Sequence, residues 1–182
     1  MHRRHRRPRS PVRALNGALI VAAEFAPADF AWLDRLRRSH FPPERNLLPA
    51  HLTLFHALPP SAEAELKRHL ARLVGESAPT AMLDAPYNFG QGVAFRVRSP
   101  ALDAARADLA QHFHGSLTAQ DAAGWRAHVT IQNKVKPSEA QALLAELMRD
   151  FRSRPLGLAA LALHRYLGGP WERLGRFAFR GA

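Results

Sequence analysis

The chain contains no cysteine and is poor in several other residue types. Its 182 residues include only two tyrosines, three methionines and four threonines. Without cysteine the protein cannot form disulfides, thiolate zinc sites, iron–sulfur clusters or a cysteine nucleophile. The lack of thiols is compatible with a reducing compartment, and we expect a cytoplasmic protein.

Long apolar runs are missing as well. No stretch approaches the roughly 20 apolar residues that cross a bilayer, so we expect no membrane association. A basic N-terminus followed by the apolar residues 18–23 resembles a secretory signal. This run is short for the apolar region of such a signal. It suits a first buried strand equally well, and that is the interpretation we favour.

Acidic side chains are absent from residues 1–13, which hold six arginines. The net charge of the whole chain is +11, so the remainder carries only +5. The segment has almost no apolar side chains and cannot bury enough surface to offset the entropy of ordering. We predict a disordered basic arm. It is either an electrostatic contact for RNA or another polyanion, or a segment without function, and composition alone favours the second.

What the sequence does contain is one short motif in two copies. HLTL at residues 51–54 and HVTI at residues 128–131 lie 77 positions apart. With ten histidines and four threonines, chance gives roughly 0.2 His-x-Thr triplets. In a β-strand the His and Thr of each copy point to one face, and the two apolar residues point to the other. The pair therefore predicts two strands, each with a polar face and a buried face.

Strict alternation adds further residues to these polar faces. In the second copy it adds Arg126, Gln132 and Lys134, which could hold the flanking phosphates of an oligonucleotide. In the first copy Phe55 shares the face of the motif, and we expect it to form a wall of the site. The aromatic candidates for stacking on a base are Phe55, Tyr87, Phe89 and Tyr166. Core packing is the alternative for the aromatics, and a solvated surface is the alternative for the basic residues.

Apolar spacing and Pro or Gly breaks divide the rest of the chain into helices and strands. Helices are predicted at about residues 28–39, 61–75, 100–113 and 137–151. Strands are predicted at residues 15–25 and 50–58, as a hairpin within 80–98, at the second motif, and at 156–166 and 174–179.

The order of these elements is nearly repeated. Motif strand, proline, helix and two strands joined by a Gly-rich turn occur from residue 51 to 98 and again from 128 to 180. The repetition predicts an α+β fold, a bilobal duplicated unit with two antiparallel sheets flanking a central groove. One motif strand would lie in each lobe, so that the polar faces meet across the groove. We expect residues 14–182 to form this single domain, as a monomer.

The doubled motif resembles that of the two-histidine phosphoesterase superfamily, which includes bacterial 2'-5' RNA ligase-like proteins and cyclic nucleotide phosphodiesterases. The closing segment LALHRY at residues 161–166, together with Trp171, adds to the resemblance, which covers about residues 14–180. It implies a groove between two lobes and metal-independent chemistry on a phosphodiester, without a cofactor. Many RNA ligase-like members carry Arg two residues after the second motif, whereas Asn133 stands here.

The resemblance assigns His51, Thr53, His128 and Thr130 to catalysis, and each residue type suits its role. Opening a 2',3'-cyclic phosphate needs one proton taken from water and one supplied to the leaving ribose oxygen. Histidine, with an ordinary pKa near 6.5, can do either. One histidine should be neutral and the other protonated, in an order that the sequence leaves open. The threonine hydroxyls can donate hydrogen bonds to the non-bridging phosphate oxygens.

Two alternatives remain at this stage. Joining of 2'-5' RNA ends reverses a related reaction, in competition with water. A non-catalytic RNA-binding module would use the groove and the basic arm. Nucleotides or RNA are the expected partners in every case. No metal site is expected, because the remaining histidines lack carboxylate or cysteine partners at a metal-ligand spacing.

Overall fold

The structure, a computed structural model, describes residues 17–75 and 77–181. The basic arm predicted for residues 1–13 lies outside the described residues. The helices of the described part are α1 (Pro27–His40), α2 (Glu63–Leu73), α3 (Pro100–His112), α4 (Ala119–Ala122) and α5 (Pro137–Asp150). The strands are β1 (Leu19–Phe25), β2 (Leu52–Leu58), β3 (Met82–Asn88), β4 (Val93–Arg98), β5 (His128–Gln132), β6 (Arg154–Pro155), β7 (Leu158–Tyr166) and β8 (Trp171–Ala178).

The strands form two four-stranded antiparallel sheets. Lobe 1 is built on the order β2-β1-β7-β8 and lobe 2 on the order β5-β4-β3-β6. Each motif strand, β2 or β5, is an edge strand of its sheet, and the two edges contact each other. The predicted α+β architecture, with one motif per lobe, is confirmed.

Large and small residues alternate along the inner strands of lobe 1. In β7, Leu161 and Leu163 belong to the main core, whereas Ala160 and Ala162 face the other side of the sheet and are also buried. In β1, Val21 is part of the same core and pairs with Leu163. Period-two alternation of this kind puts leucine and valine under the helices and leaves a shallow alanine floor on the groove side.

Each lobe is covered by one helix from each half of the chain. Helices α1 and α5 pack on lobe 2, where Trp32 of α1 lies 5.6 Å from Phe95 of β4 between ring centroids. Helices α2 and α3 pack on lobe 1 and are joined by His69 and Asp108, whose ring nitrogen and carboxylate oxygen are 2.9 Å apart. The two halves of the chain are therefore interlocked.

Because of this interlocking, the units that match in space differ from the repeat predicted along the sequence. The hairpin β3–β4 follows the first motif in the chain but lies in lobe 2, beside the second motif strand. The closing hairpin β7–β8 likewise pairs with β1 in lobe 1. The units that match in space are β1-α1-β2 and β4-α3-β5, each an inner strand, a crossing helix and a motif edge strand.

Several short features were not predicted from the sequence. Helix α4 has only four residues, too few for a periodic pattern, and is capped by the Thr118 hydroxyl, which accepts a hydrogen bond from the Asp121 amide at 3.3 Å. Strand β6 has two residues, and Pro155 is one of them. Strand β8 begins at Trp171 rather than at residue 174. Within the described residues, no helix is both long enough and apolar enough to span a bilayer.

Candidate active site

The two motif histidines are held in the same way. The Nδ1 atom of His51 lies 2.7 Å from the carbonyl oxygen of Pro49, and that of His128 lies 2.9 Å from the carbonyl oxygen of Arg126. A carbonyl only accepts, so Nδ1 must carry the hydrogen in both rings. This fixes the tautomer and leaves Nε2 of each ring as the atom that can exchange a proton with a ligand.

The motif threonines lie on the groove faces of the sheets. Thr53 pairs with Ala22 of β1, and Thr130 pairs with Ala94 of β4. Both threonines are partly exposed, and among the described residues neither hydroxyl forms a hydrogen bond. Two hydroxyl donors and two Nε2 atoms are thus available to a ligand in the groove.

A β-bulge follows the threonine in each motif strand. The register moves from Ala22↔Thr53 to Val21↔Phe55, so one residue of β2 is left over between the two pairs. In β5 the register moves in the same way, from Thr130 to Gln132. A bulge reverses the face of the residues beyond it. Phe55 is consequently 0 % exposed in the core, and Gln132 is 6 % exposed opposite a core valine.

Helix α1 ties the first motif to the second. Its Asp34 accepts a hydrogen bond from the Ala50 amide, directly before His51, at 2.9 Å. One turn on, Arg37 donates through Nη1 to the Thr130 carbonyl oxygen at 2.8 Å. Both side chains are buried. A single helix face therefore holds backbone groups of both motif strands.

Helix α3 and the loop before β5 hold the first motif strand from the other side. The indole Nε1 of Trp125 donates to the Thr53 carbonyl oxygen at 3.0 Å. Asp121, 2 % exposed, accepts hydrogen bonds from the amides of His56 and Ala57, both at 2.9 Å. Arg106 of α3 donates to the Asp121 carbonyl oxygen. Side chains thus take the place of a neighbouring strand along this sheet edge.

His51 lies in a desolvated and positively charged environment. The Trp171 ring packs against it at 4.7 Å between centroids. Burial lowers the pKa of His51 to about 4, and the nearby charges of Arg37, His164 and His128 act in the same direction, while the bond to Pro49 opposes them. Burial also lowers the pKa of Arg37 to about 10, against the attraction of Asp34. His51 is therefore neutral near pH 7, whereas Arg37 remains charged.

Two clefts of different chemistry flank the histidines. The aromatic cleft, about 490 Å³, opens beside His51 and is lined by apolar residues of β1 and α1 together with His164, Trp171 and Arg173. Arg173 is paired with Glu24 at 2.6 Å, so the walls of this cleft carry little net charge.

The cationic cleft, about 650 Å³, lies between lobe 2 and α3. It is lined by Tyr87, Arg96, Arg98, Arg106 and Arg126, together with Asp84 and Asp103. Arg96 pairs in register with His128 on the same sheet face, and its guanidinium lies 4.8 Å from the Tyr87 ring. Among the described residues, neither Arg96 nor Arg126 is paired with a carboxylate.

The described residues contain no group of three histidine or carboxylate side chains that is arranged to hold a metal ion.

Comparison with known proteins identifies the family to which this chain belongs. A family model for the 2'-5' RNA ligase superfamily matches residues 25–170. The chain belongs to this superfamily. Membership supports a phosphoesterase-type activity. No curated protein matches the chain.

Solved structures with the same fold accompany the family match. E. coli LigT complexed with 3'-AMP is 18 % identical with a TM-score of 0.60, and covers 90 % of this chain and 98 % of its own. TT0787 of Thermus thermophilus is 18 % identical with a TM-score of 0.58 and the same coverages. E. coli LigT complexed with NADP+ is 19 % identical with a TM-score of 0.57. At such identities the likeness shows the fold.

In this member of the 2'-5' RNA ligase superfamily, the four motif residues lie on or directly beside two edge strands that contact each other. Arg126 and Tyr87 line the cationic cleft. Tyr166 ends β7 opposite Trp171 and is partly exposed. Phe89 is 42 % exposed at the hairpin turn and packs edge-on to Tyr87 at 6.3 Å.

Three predicted positions differ from expectation. Phe55 and Gln132 leave the groove face because of the two bulges. Lys134 lies beyond the end of β5 in a left-handed turn with φ 64°, so strand alternation does not reach it. The bulges have no sequence signature that strict alternation could detect.

Three further residues at the site, Arg37, Arg96 and Trp171, were not predicted from the sequence. Arg96 could have been found by applying alternation to β4, which is not a motif strand. Trp171 contacts His51 from a distant hairpin, and Arg37 reaches the motifs from a helix. Neither of the last two contacts leaves a local pattern in the sequence.

Proposed function

We propose that this protein is a metal-independent phosphodiesterase that hydrolyses a nucleotide or RNA phosphodiester, with a 2',3'-cyclic phosphate as its substrate. The observation that carries the proposal is the matched tautomer of His51 and His128, which leaves two Nε2 atoms beside two threonine hydroxyls. This set can take one proton and give another without a metal or cofactor.

The lowered pKa of His51 supports its role as the base. Because His51 is neutral near pH 7, its Nε2 can take a proton from the attacking water. The water oxygen bonds to phosphorus, and one bond between phosphorus and a ribose oxygen breaks. His128, protonated on Nε2, gives its proton to that leaving oxygen. The product is a nucleotide with a 2'- or 3'-phosphate, and exchange with solvent restores both histidines.

The threonines stabilise the charge that builds on phosphorus during this step. Thr53 and Thr130 approach from opposite lobes, so that each hydroxyl can donate to a different non-bridging oxygen. Preorganised donors of this kind act on the transition state more than on the ground state.

The two clefts match the two parts of a nucleotide chain. The aromatic cleft, with Trp171 beside His51, suits a base of the reacting nucleotide. The cationic cleft, with Arg96 and Arg126, suits flanking phosphates. An RNA that ends in a cyclic phosphate would occupy both clefts, and a cyclic mononucleotide would occupy one.

The test is turnover in EDTA of a panel of nucleoside 2',3'-cyclic monophosphates and of RNA ending in a cyclic phosphate. Wild type, the His51→Ala/His128→Ala double variant and the exposed control His114→Ala are compared, and the products are resolved by chromatography. Turnover that survives EDTA, is kept in the control and is lost in the double variant supports the proposal. Equal turnover in the double variant refutes it. A joined 2'-5' RNA product on a gel would indicate ligation instead, and salt-sensitive binding without product would indicate a binding module.

A further inference from the structure

Arg37 is buried without a direct charge partner. Its side chain is 5 % exposed on α1, and among the residues that the structure describes no carboxylate forms an ion pair with it. Asp34, whose charge acts on Arg37 from one turn earlier in α1, is paired instead with Arg38 at 2.5 Å. Burying a guanidinium in this way is costly, so the position needs a compensating set of hydrogen bonds.

The hydrogen bonds of Arg37 all go to the two segments that carry the motif histidines. Its Nε donates to the carbonyl oxygen of Leu48 at 3.0 Å and to the side-chain oxygen of Asn46 at 2.9 Å. Its Nη1 donates to the carbonyl oxygen of Thr130 at 2.8 Å. Stacking on Phe41, 4.1 Å from the ring centroid, fixes the plane of the fork. One rigid group therefore joins the loop before His51 to the strand that carries His128.

We propose that Arg37 is a positioning residue that sets the spacing between the two motif histidines across the groove. The proposal rests on the proposed function for its kinetic consequence. Acid and base must approach one phosphorus from opposite sides, and a misplacement of about 1 Å can cost on the order of a hundredfold in rate. Lysine cannot replace Arg37 fully, because an ammonium lacks the planar fork that serves both backbones at once.

The charge of Arg37 has a second effect on the groove, since it opposes protonation of His51. The other groups that act on His51 are His128 of β5 and His164 of β7, and His164 is in turn influenced by Arg173 and Glu24. Removing the Arg37 charge should therefore raise the pKa of His51, and retaining it as lysine should not.

The experiment compares Arg37→Gln, Arg37→Lys and the matched control Arg35→Gln, which removes an exposed arginine from the same helix. We measure kcat and KM on the best cyclic phosphate substrate, well below each melting midpoint, and follow the His51 ring by NMR from about pH 3 to pH 8, so that both sides of its midpoint are sampled. Both Arg37 variants should lower kcat by roughly ten- to a hundredfold with KM changed less than threefold. Only Arg37→Gln should raise the His51 midpoint, and Arg35→Gln should change neither quantity.

Two outcomes would overturn the proposal. One is a kcat within twofold of wild type in Arg37→Lys, which applies even where Arg37→Gln does not fold. The other is a lower melting midpoint with unchanged kcat and unchanged His51 titration, as expected of a purely structural arginine. The titration needs no substrate, so it decides the placement of Arg37 beside His51 even where wild type shows no turnover and the proposed function fails.

Discussion

The two sides of the groove are alike in backbone and different in surroundings. Each has a motif edge strand, a histidine tied through Nδ1 to the carbonyl two residues earlier, and a bulge after the threonine. The His51 side adds a packed tryptophan and a charge-balanced cleft. The His128 side adds Arg96 and Arg126. The repeated backbone gives both histidines the same hydrogen-bond geometry, and the unrepeated neighbours give them different electrostatic surroundings.

The largest effect is expected when the imidazole of each side is removed separately. His51→Ala and His128→Ala should each lower kcat on a cyclic phosphate by about 10²–10⁴-fold, because each removes one proton-transfer group. The double variant should lose little more than the worse single variant, since acid and base act together. His114→Ala is the matched exposed control. A single variant with more than a tenth of wild-type kcat would mean that the two sides do not share one reaction.

The next test concerns the two hydroxyls. Thr53→Val and Thr130→Val keep the side-chain shape and remove one donor each, so each should lower kcat on the order of a hundredfold with a smaller change in KM. Thr80→Val, at an exposed position outside the motifs, should leave kcat unchanged. A loss confined to one threonine would show that only one lobe stabilises the transition state.

The third test uses pH and stability. His51 has its pKa lowered to about 4, so between pH 6.5 and 4 the unfolded chain binds a proton that the folded protein refuses. Stability is lost as the pH falls through this window, by about 2 kcal/mol between pH 7 and pH 5 for this group alone. Denaturant unfolding at both pH values should show a smaller loss in His51→Gln than in wild type or His114→Gln. Equal losses in all three proteins would contradict a desolvated His51 that is neutral in the folded protein.

The smallest effects are expected from variants that alter one of the two clefts at a time. Trp171→Ala should raise KM roughly tenfold for a cyclic mononucleotide, because it removes the wall of the aromatic cleft. Arg96→Gln/Arg126→Gln should raise KM roughly tenfold for a longer RNA at low salt and leave the mononucleotide almost unaffected. Arg149→Gln, on α5, serves as the surface-charge control. The comparison fails if both variants affect both substrates equally.

Sequence patterns predicted the parts of this molecule that depend on local repetition. Both motif strands, the strand at 156–166 and the helix at about 28–39 could be predicted from the local spacing of apolar residues. The exchange of hairpins between lobes could not, because it depends on which strand edges meet after the helices cross. At Gly92, for example, the backbone before β4 lies very close to the end of β5. A Cβ at this position would be 2.0 Å from the Gln132 carbonyl oxygen.

The candidate site was predicted where it lies on the motifs and missed where it depends on contacts between distant segments. The doubled motif and the family resemblance pointed to His51, Thr53, His128 and Thr130, and strand periodicity put each His and Thr on one face. Phe55 and Gln132 were assigned to the groove because one inserted residue per strand cannot be seen in an alternating pattern. Arg37 was missed because α1 and β5 are 93 residues apart at their hydrogen bond.

The side chains that occupy the outer edge of β2 also affect how the protein behaves in a crowded solution. An exposed sheet edge is a template on which another chain can add a strand, which is a common first step in aggregation. Here Trp125 and Asp121 already bond the outward carbonyl of Thr53 and the outward amides of His56 and Ala57. The groove can thus stay open to a ligand while the strand beneath it offers few free backbone groups to a second molecule.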